Sequence, residues 1–250
     1  ITTVSSSAFR TVKGLNTVKL PSTMKDLGPN CFASSSISTI NIPDGITTLQ
    51  SGALSATSIT SITLPSSITE FGGSMFYGCS KLAEVNILFP YTTLPGQTFR
   101  GCSSLKSYTF PEGVTTVGKL TFSGSGITEL VFPAGITDIP AQVASVDKSL
   151  TTVTFKGEVT AIGSEAFKNC TALRTMNFEG KNAPTIASTN AFKVTPAYKS
   201  VNTLQISVTN AFSPANPLII ASTSAITTVT NCSPLNTGAP IVPSTKSSTS

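Results

Sequence analysis

Residues 37–54 read ISTINIPDGITTLQSGAL and residues 59–76 read ITSITLPSSITEFGGSMF, and the second stretch repeats the first position by position. Apolar residues hold the first, fourth, sixth, tenth, thirteenth and eighteenth places, with proline at the seventh. Working outward, the apolar residue that opens each unit recurs at Leu15, Ile37, Ile59, Leu82, Leu105, Ile127, Leu150 and Leu173, at intervals of 22, 22, 23, 23, 22, 23 and 23 residues. Self-similarity at a fixed period of this size is the mark of a stacked repeat architecture. The third apolar anchor and the residue that closes the unit stay 12 apart: Leu20 and Phe32, Leu64 and Phe76, Ile87 and Phe99, Phe110 and Phe122, Phe155 and Phe167. The one-residue variation in period falls after that closing residue, where a surface loop absorbs it.

Elementary physics turns this pattern into a coil. In Leu15-Asn16-Thr17-Val18-Lys19-Leu20 the apolar residues alternate with polar ones, as in a half-buried strand. Proline cannot donate to a ladder, so Pro21, Pro43, Pro65, Pro111 and Pro133 end their strands. Turns such as Pro43-Asp44-Gly45 and Pro111-Glu112-Gly113 follow. Ordering the 22 or 23 residues of a unit costs more than about six apolar anchors return, so no unit stands alone. A stack does stand, because each rung hydrogen-bonds its neighbours and covers their apolar face.

Composition narrows the chemistry. Only 11% of residues are charged, while 35 Ser and 39 Thr place a small hydroxyl at 74 of 250 positions. There is no His and no Trp. Without His the commonest general base, metal ligand and nucleophile partner are missing, which disfavours most hydrolase and transition-metal mechanisms. The net charge of +5 is spread along the chain: Lys81, Arg100, Lys106, Lys119, Lys148, Lys156, Lys168 and Arg174 arrive singly, and only Arg10, Lys13, Lys19 and Lys25 stand closer together. That distribution argues against a nucleic-acid partner. No apolar run is long enough to span a membrane, and residues 1–4 carry no signal-peptide pattern.

The pattern L-x-x-V-x-L-P-x-G-I-T-x-I-G-x-x-A-F-x-x-C-x-x-L resembles the Treponema-type leucine-rich repeat of BspA-like surface proteins, and Val159–Leu173, VTAIGSEAFKNCTAL, is the nearest single copy. Such repeats are typical of surface proteins of host-associated bacteria and occur in expanded families in some protists. The resemblance implies a leucine-rich-repeat solenoid: a right-handed coil, mainly β, with a parallel sheet on its concave face and irregular or short helical segments on the convex one. It also implies an extracellular or cell-surface location and a non-catalytic adhesion or recognition role, with no cofactor. The implied partner is a protein or glycan of the host or of a neighbouring cell.

The same alignment sets expected boundaries. Ile1, Val4, Phe9 and Leu15 superpose on Ile46, Leu49, Leu54 and Ile59, so the chain starts inside a repeat. An open first rung exposes apolar groups and strand edges, so upstream residues or a second copy stacked on that end are expected there. Homo-assembly through this rung into a surface filament or layer is the alternative function. Phe192 follows Phe178 by 14 residues, not 12, which closes the solenoid at 1–192. Residues 193–232 read as an irregular cap with extra strands in TLQISVT and AITTVT, and 233–250 as a Ser/Thr/Pro-rich linker or tail.

Candidate functional residues follow from the columns that point out of the main sheet. Two positions into each unit stand Thr17, Thr39, Ser61, Glu84, Ser107, Glu129, Thr152 and Thr175; two further on stand Lys19, Asn41, Thr63, Asn86, Thr109, Val131, Thr154 and Asn177. Lys19, Asn41, Thr63, Glu84, Asn86, Thr109, Glu129, Thr154 and Asn177 are the expected binding residues, hydrogen-bonding a protein or glycan. Glu84 and Glu129 share a column two rungs apart, about 10 Å, which resembles an inverting glycosidase pair; no cleft-forming insertion or aromatic sugar platform accompanies them in the sequence.

A third column, Thr2, Thr47, Thr69, Thr92, Thr115, Thr137 and Thr160, reads as β propensity with rung-to-rung hydroxyl contacts. An ice-binding surface is the sharper reading of that column. Cys79, Cys102 and Cys170 share one slot that elsewhere holds a small polar residue. Stacked, parallel Cβ vectors make a disulfide between Cys79 and Cys102 awkward, so thiols are expected. Asn169-Cys170-Thr171 and Asn231-Cys232-Ser233 match the glycosylation acceptor pattern.

Overall fold

A computed structural model describes residues 1–182, 184–186 and 190–192, together with the backbone of four later strands. Each unit supplies two short strands. The first set, outside the apolar core on one side, comprises β2 (Thr17–Lys19), β4 (Thr39–Asn41), β6 (Ser61–Leu64), β8 (Glu84–Ile87), β11 (Glu129–Phe132), β13 (Thr152–Phe155) and β15 (Thr175–Phe178). The second set comprises β1 (Thr3–Val4), β3 (Asp26–Leu27), β5 (Thr48–Leu49), β7 (Glu70–Phe71), β9 (Thr93–Leu94), β10 (Thr116–Val117), β12 (Asp138–Ile139), β14 (Ala161–Ile162) and β16 (Thr185–Ile186).

All pairing is parallel and runs from one rung to the next. Leu64 lies opposite Ile87, Phe132 opposite Phe155 and Phe155 opposite Phe178. In the second set Val4, Leu27, Leu49 and Phe71 form one file, so the first residues take the place in their rung that the alignment gives them. The chain is a parallel β-solenoid, as the repeat requires.

Between the sheets the core is a set of files. Phe76, Phe99 and Phe122 stack at 5.8 and 5.7 Å between ring centroids, and Phe132, Phe155 and Phe178 at 5.4 and 4.7 Å. A constant offset along the chain thus becomes a column of like side chains, each covering the one below.

The side of the coil carrying the closing Phe is irregular, one of the two forms expected there, and no helix occurs among the described residues. The backbone gives the reason. Each rung places two residues four apart in the left-handed region: Asn30 and Ser34, Ser74 and Gly78, Gln97 and Gly101, Leu120 and Gly124, Gln142 and Val146, Glu165 and Asn169. A right-handed helix cannot run through such points. Instead the turns stack by their own amides, as in Gln97 N–H to Lys119 O at 3.0 Å, Phe99 N–H to Thr121 O at 2.9 Å and Gly101 N–H to Ser123 O at 2.9 Å.

The main sheet is not continuous. It divides into β2–β4, β6–β8 and a ladder beginning β11–β13–β15. No side chain accounts for the break between β4 and β6. The break after β8 has a cause. The inward file reads Val18, Ile40, Ile62, Val85, Tyr108, Leu130, Val153, Met176. Tyr108 puts a phenol where the other rungs have an aliphatic group, and its ring packs on Phe99, Phe110 and Phe122. Residues 107–110 form no strand, and among the described residues no backbone hydrogen bond joins them to 84–87 or to 129–132. The turns of the same two units remain stacked, and β9 pairs with β10, so the rungs splay on the main-sheet side only.

Past the regular repeats, β17 (Leu204–Val208) pairs with β15, and β19 (Val229–Asn231) with β17. β17 lies inside the stretch TLQISVT and β19 overlaps only the end of AITTVT; they extend the main sheet at a longer spacing, with Met176 opposite Ile206 and Ile206 opposite Asn231. β18 (Ile219–Ala221) pairs with β20 (Val242–Ser244). The rest of the expected cap at 193–232 and tail at 233–250 lies outside the described residues.

Two outcomes follow. Val146 is β-branched at φ +57°, in the file where Gly78, Gly101 and Gly124 sit; Val146→Gly should therefore raise stability by about 1 kcal/mol, measured by denaturant unfolding. In hydrogen exchange, the amides of 107–110 should exchange at least about tenfold faster than those of Thr152–Phe155, because only the latter are held in a ladder.

Candidate functional site

The register places the two outward columns where the spacing put them. Lys19 stands opposite Asn41, Ser61 opposite Glu84, Thr63 opposite Asn86, and Glu129 opposite Thr152. Lys19, Asn41, Thr63, Glu84, Asn86, Thr109 and Glu129 are exposed, since alternate residues of a strand point to opposite faces. Thr154 is not. It is 7% exposed, and its hydroxyl accepts a hydrogen bond from Asn177 Nδ2 at 3.1 Å. These two residues, adjacent across β13 and β15, satisfy each other, so Thr154 is withdrawn from the outward column and Asn177 is half-withdrawn.

Glu84 and Glu129 do not form one site. They belong to separate ladders, with residues 107–110 between them. What the structure does build is a cleft of about 330 Å³ in the splay between β8 and residues 107–110. Glu84, Asn86, Ser107 and Thr109 line it, with Tyr91 and Tyr108 as its aromatic part. The two phenol hydroxyls are hydrogen-bonded to each other. Burial pushes both phenols above the ordinary tyrosine range, so they remain protonated. A second cleft, of about 600 Å³, opens between β7 and β9, and Tyr91 lines it as well. Neither tyrosine was a candidate from the sequence. The available signal was Tyr108 itself, the only aromatic residue in a file of aliphatic ones.

The Thr column makes the rung-to-rung contacts expected of it. Thr47 Oγ1 donates to Lys25 O at 3.2 Å, Thr69 Oγ1 to Thr47 O at 3.3 Å and Thr160 Oγ1 to Thr137 O at 3.2 Å. The small-residue slot is likewise a bonding position. Cys102 Sγ donates to Phe76 O at 3.1 Å and Cys170 Sγ to Ala144 O at 3.0 Å. Cys31, Cys79, Cys102 and Cys170 are buried thiols, and desolvation raises all four, Cys31 to about 12. These are inert core groups. Asn169, the acceptor of the first glycosylation pattern, is buried in the turn, so that pattern is not presented to an enzyme; side chains of the second lie outside the described residues.

The family model of the BspA type leucine rich repeat region matches residues 1–97 and 86–199, with six copies. The chain belongs to the BspA-type leucine-rich-repeat family. Among solved structures, this BspA-type chain is similar to a leucine rich cell surface protein from Faecalibacterium prausnitzii A2-165, at 20% identity and a TM-score of 0.56, over 83% of this chain and 63% of that one. It is similar to the T. pallidum leucine rich repeat protein at 18% identity and a TM-score of 0.55, over 79% and 84% of the two chains. A leucine-rich repeat protein from Eubacterium ventriosum ATCC 27560 matches at 19% identity and a TM-score of 0.54, over 92% and 70%. At these identities the likeness establishes the fold. Curated protein sequences give no match. Among the described residues no helix is long and apolar enough to cross a membrane, and no three potential metal ligands cluster.

One buried group of this BspA-type chain is ionisable near neutrality. Asp147 occupies the small-residue slot, 1% exposed, and accepts hydrogen bonds from Ser125 Oγ at 2.6 Å, Ser149 N at 2.8 Å and Leu150 N at 3.1 Å. Desolvation raises its pKa to about 6, against the pull of those donors and of the Lys106 charge. The folded chain therefore binds the proton more tightly than the unfolded one, and stability is lost as pH rises from about 4 to about 6. Asp147→Asn retains the acceptor and removes the charge. It should abolish that pH dependence and add on the order of 2–3 kcal/mol at pH 7.5, read from unfolding curves across pH.

Proposed function

We propose that this chain is a non-catalytic recognition module of the cell surface, which binds an extracellular protein or glycan through the outward residues of its main sheet. The observation that carries this reading is the register: Lys19 over Asn41, Ser61 over Glu84 and Thr63 over Asn86, exposed and fixed from below by a core that takes no part in binding. A stacked array offers one side chain per rung at a constant interval, which suits an extended partner. Family membership supports the reading, as does the description of the Faecalibacterium relative as a cell surface protein. The recognition residues are Lys19, Asn41, Thr63, Glu84, Asn86, Thr109 and Glu129, with Asn177 at the margin. Four of the seven are uncharged and the three charges are of mixed sign, one Lys and two Glu, so affinity should depend only modestly on salt.

The test joins Lys19→Ala, Asn41→Ala and Glu129→Ala in one chain and measures binding to host cells and immobilised matrix proteins. Binding should weaken about tenfold, ~1.4 kcal/mol, with unfolding unchanged, whereas Lys168→Ala on the turn side should leave it intact. Unchanged binding by the triple variant would remove Lys19, Asn41 and Glu129 from the recognition surface.

A further inference from the structure

The cleft between β8 and residues 107–110 has chemistry the rest of the sheet lacks. Glu84 offers a carboxylate and Asn86 an amide that both donates and accepts, both from β8, and Ser107 and Thr109 add two hydroxyls from the facing segment. Tyr91 and Tyr108 add aromatic surface. The peptide groups facing the splay have no ladder partners among the described residues. No cationic side chain lines the cleft, so it has nothing with which to pair a phosphate, sulfate or carboxylate.

Shape selects further. The rungs are pinned by backbone bonds at the turns and at β9–β10, so the opening is a wedge, closed behind and bounded along the strand by Ala83 and Pro111. A peptide strand inserted there would need two strand spacings, about 9.6 Å, down the length of both neighbours; a wedge shut at its back does not supply that depth. A single pyranose ring, with hydroxyls on its rim and C–H groups on its faces, needs no such depth. At about 330 Å³ the cleft lies at the small end of ligand pockets.

We infer that this wedge is a subsite for one neutral sugar residue, with Glu84 and Asn86 hydrogen-bonding its hydroxyls and the Tyr91–Tyr108 pair contacting its C–H face. The inference rests on the recognition reading above and gives it a ligand class: a neutral glycan, held by one residue in the wedge while the flanking rungs meet its neighbours. A uronic or sialic acid is disfavoured, because its carboxylate would face Glu84 without a counter-charge. The wedge exists because Tyr108 interrupts the aliphatic file, so the residue that spoils the ladder also furnishes the site.

The chain has no tryptophan, and two of its four tyrosines, Tyr91 and Tyr108, line the wedge, so a ligand there changes the tyrosine emission over the constant signal of Tyr77 and Tyr198. The full chain is titrated with methyl α-glucopyranoside, methyl β-galactopyranoside, methyl N-acetyl-β-glucosaminide and methyl α-fucopyranoside, and separately with methyl glucuronide. At least one neutral glycoside should give a saturable change, the glucuronide none. Glu84→Gln and Asn86→Ala are both exposed substitutions that should leave unfolding unaltered, and each should weaken that binding about tenfold or more. No saturable response to any neutral glycoside overturns the sugar assignment, as does a response indifferent to both substitutions or equal for the glucuronide. If glycosides fail while the chain still binds cells and the Lys19, Asn41, Glu129 triple variant does not, only the sugar subsite falls. Failure of both removes the sheet as the recognition surface.

Discussion

Backbone pairing between successive rungs is the constraint on which this molecule depends. A strand of two to four residues cannot satisfy its peptide groups within its own unit, and its apolar face is covered only by the same face of the next. Constant unit length is therefore a physical requirement. Where units do differ in length, the extra residues lie in turns: after the closing Phe in the regular units, and between Phe178 and Phe192 in the last, where Ile186 still pairs with Ile162 and Phe192 still stacks on Phe167. The phenylalanine files express the same rule: ring covers ring because register is held above and below.

Against that regularity, the fourth and fifth units show how local the enforcement is. Tyr108 is too large for a file built of Val, Ile, Leu and Met, and its ring finds room among Phe99, Phe110 and Phe122 by parting the strands. Between these two units the turns and β9–β10 hold, so there the strands part on one side only and leave a cleft; the second set is itself interrupted between β7 and β9 and between β10 and β12. A solenoid tolerates this because each rung answers only to its neighbours.

The hydroxyl-rich composition has a structural use. Thr side chains before the second strands donate to main-chain carbonyls one rung back, and Cys102 and Cys170 do the same from inside. Small donors that reach the adjacent rung recur wherever a carbonyl lies at that distance. Asp147 in the same slot is the costly exception: it receives three hydrogen bonds in surroundings that penalise its charge.

The sequence by itself determined the parallel solenoid, the unit boundaries and the register of the outward columns, because period and apolar offset are properties of the chain and stacking converts them directly into space. It was also sufficient for the thiols and the Thr contacts, which depend only on a rung having a like rung beside it. Tertiary structure alone decided what depends on fit between particular side chains. Thr154 is buried under its bond to Asn177, the turns pass through left-handed backbone rather than a helix at positions that Gly78, Gly101 and Gly124 mark in the sequence but Ser34 and Val146 do not, and the main sheet parts where a phenol must share a file with aliphatic groups. A repeat specifies the average rung, and the departures that make a site depend on volumes that only neighbouring rungs in contact can compare.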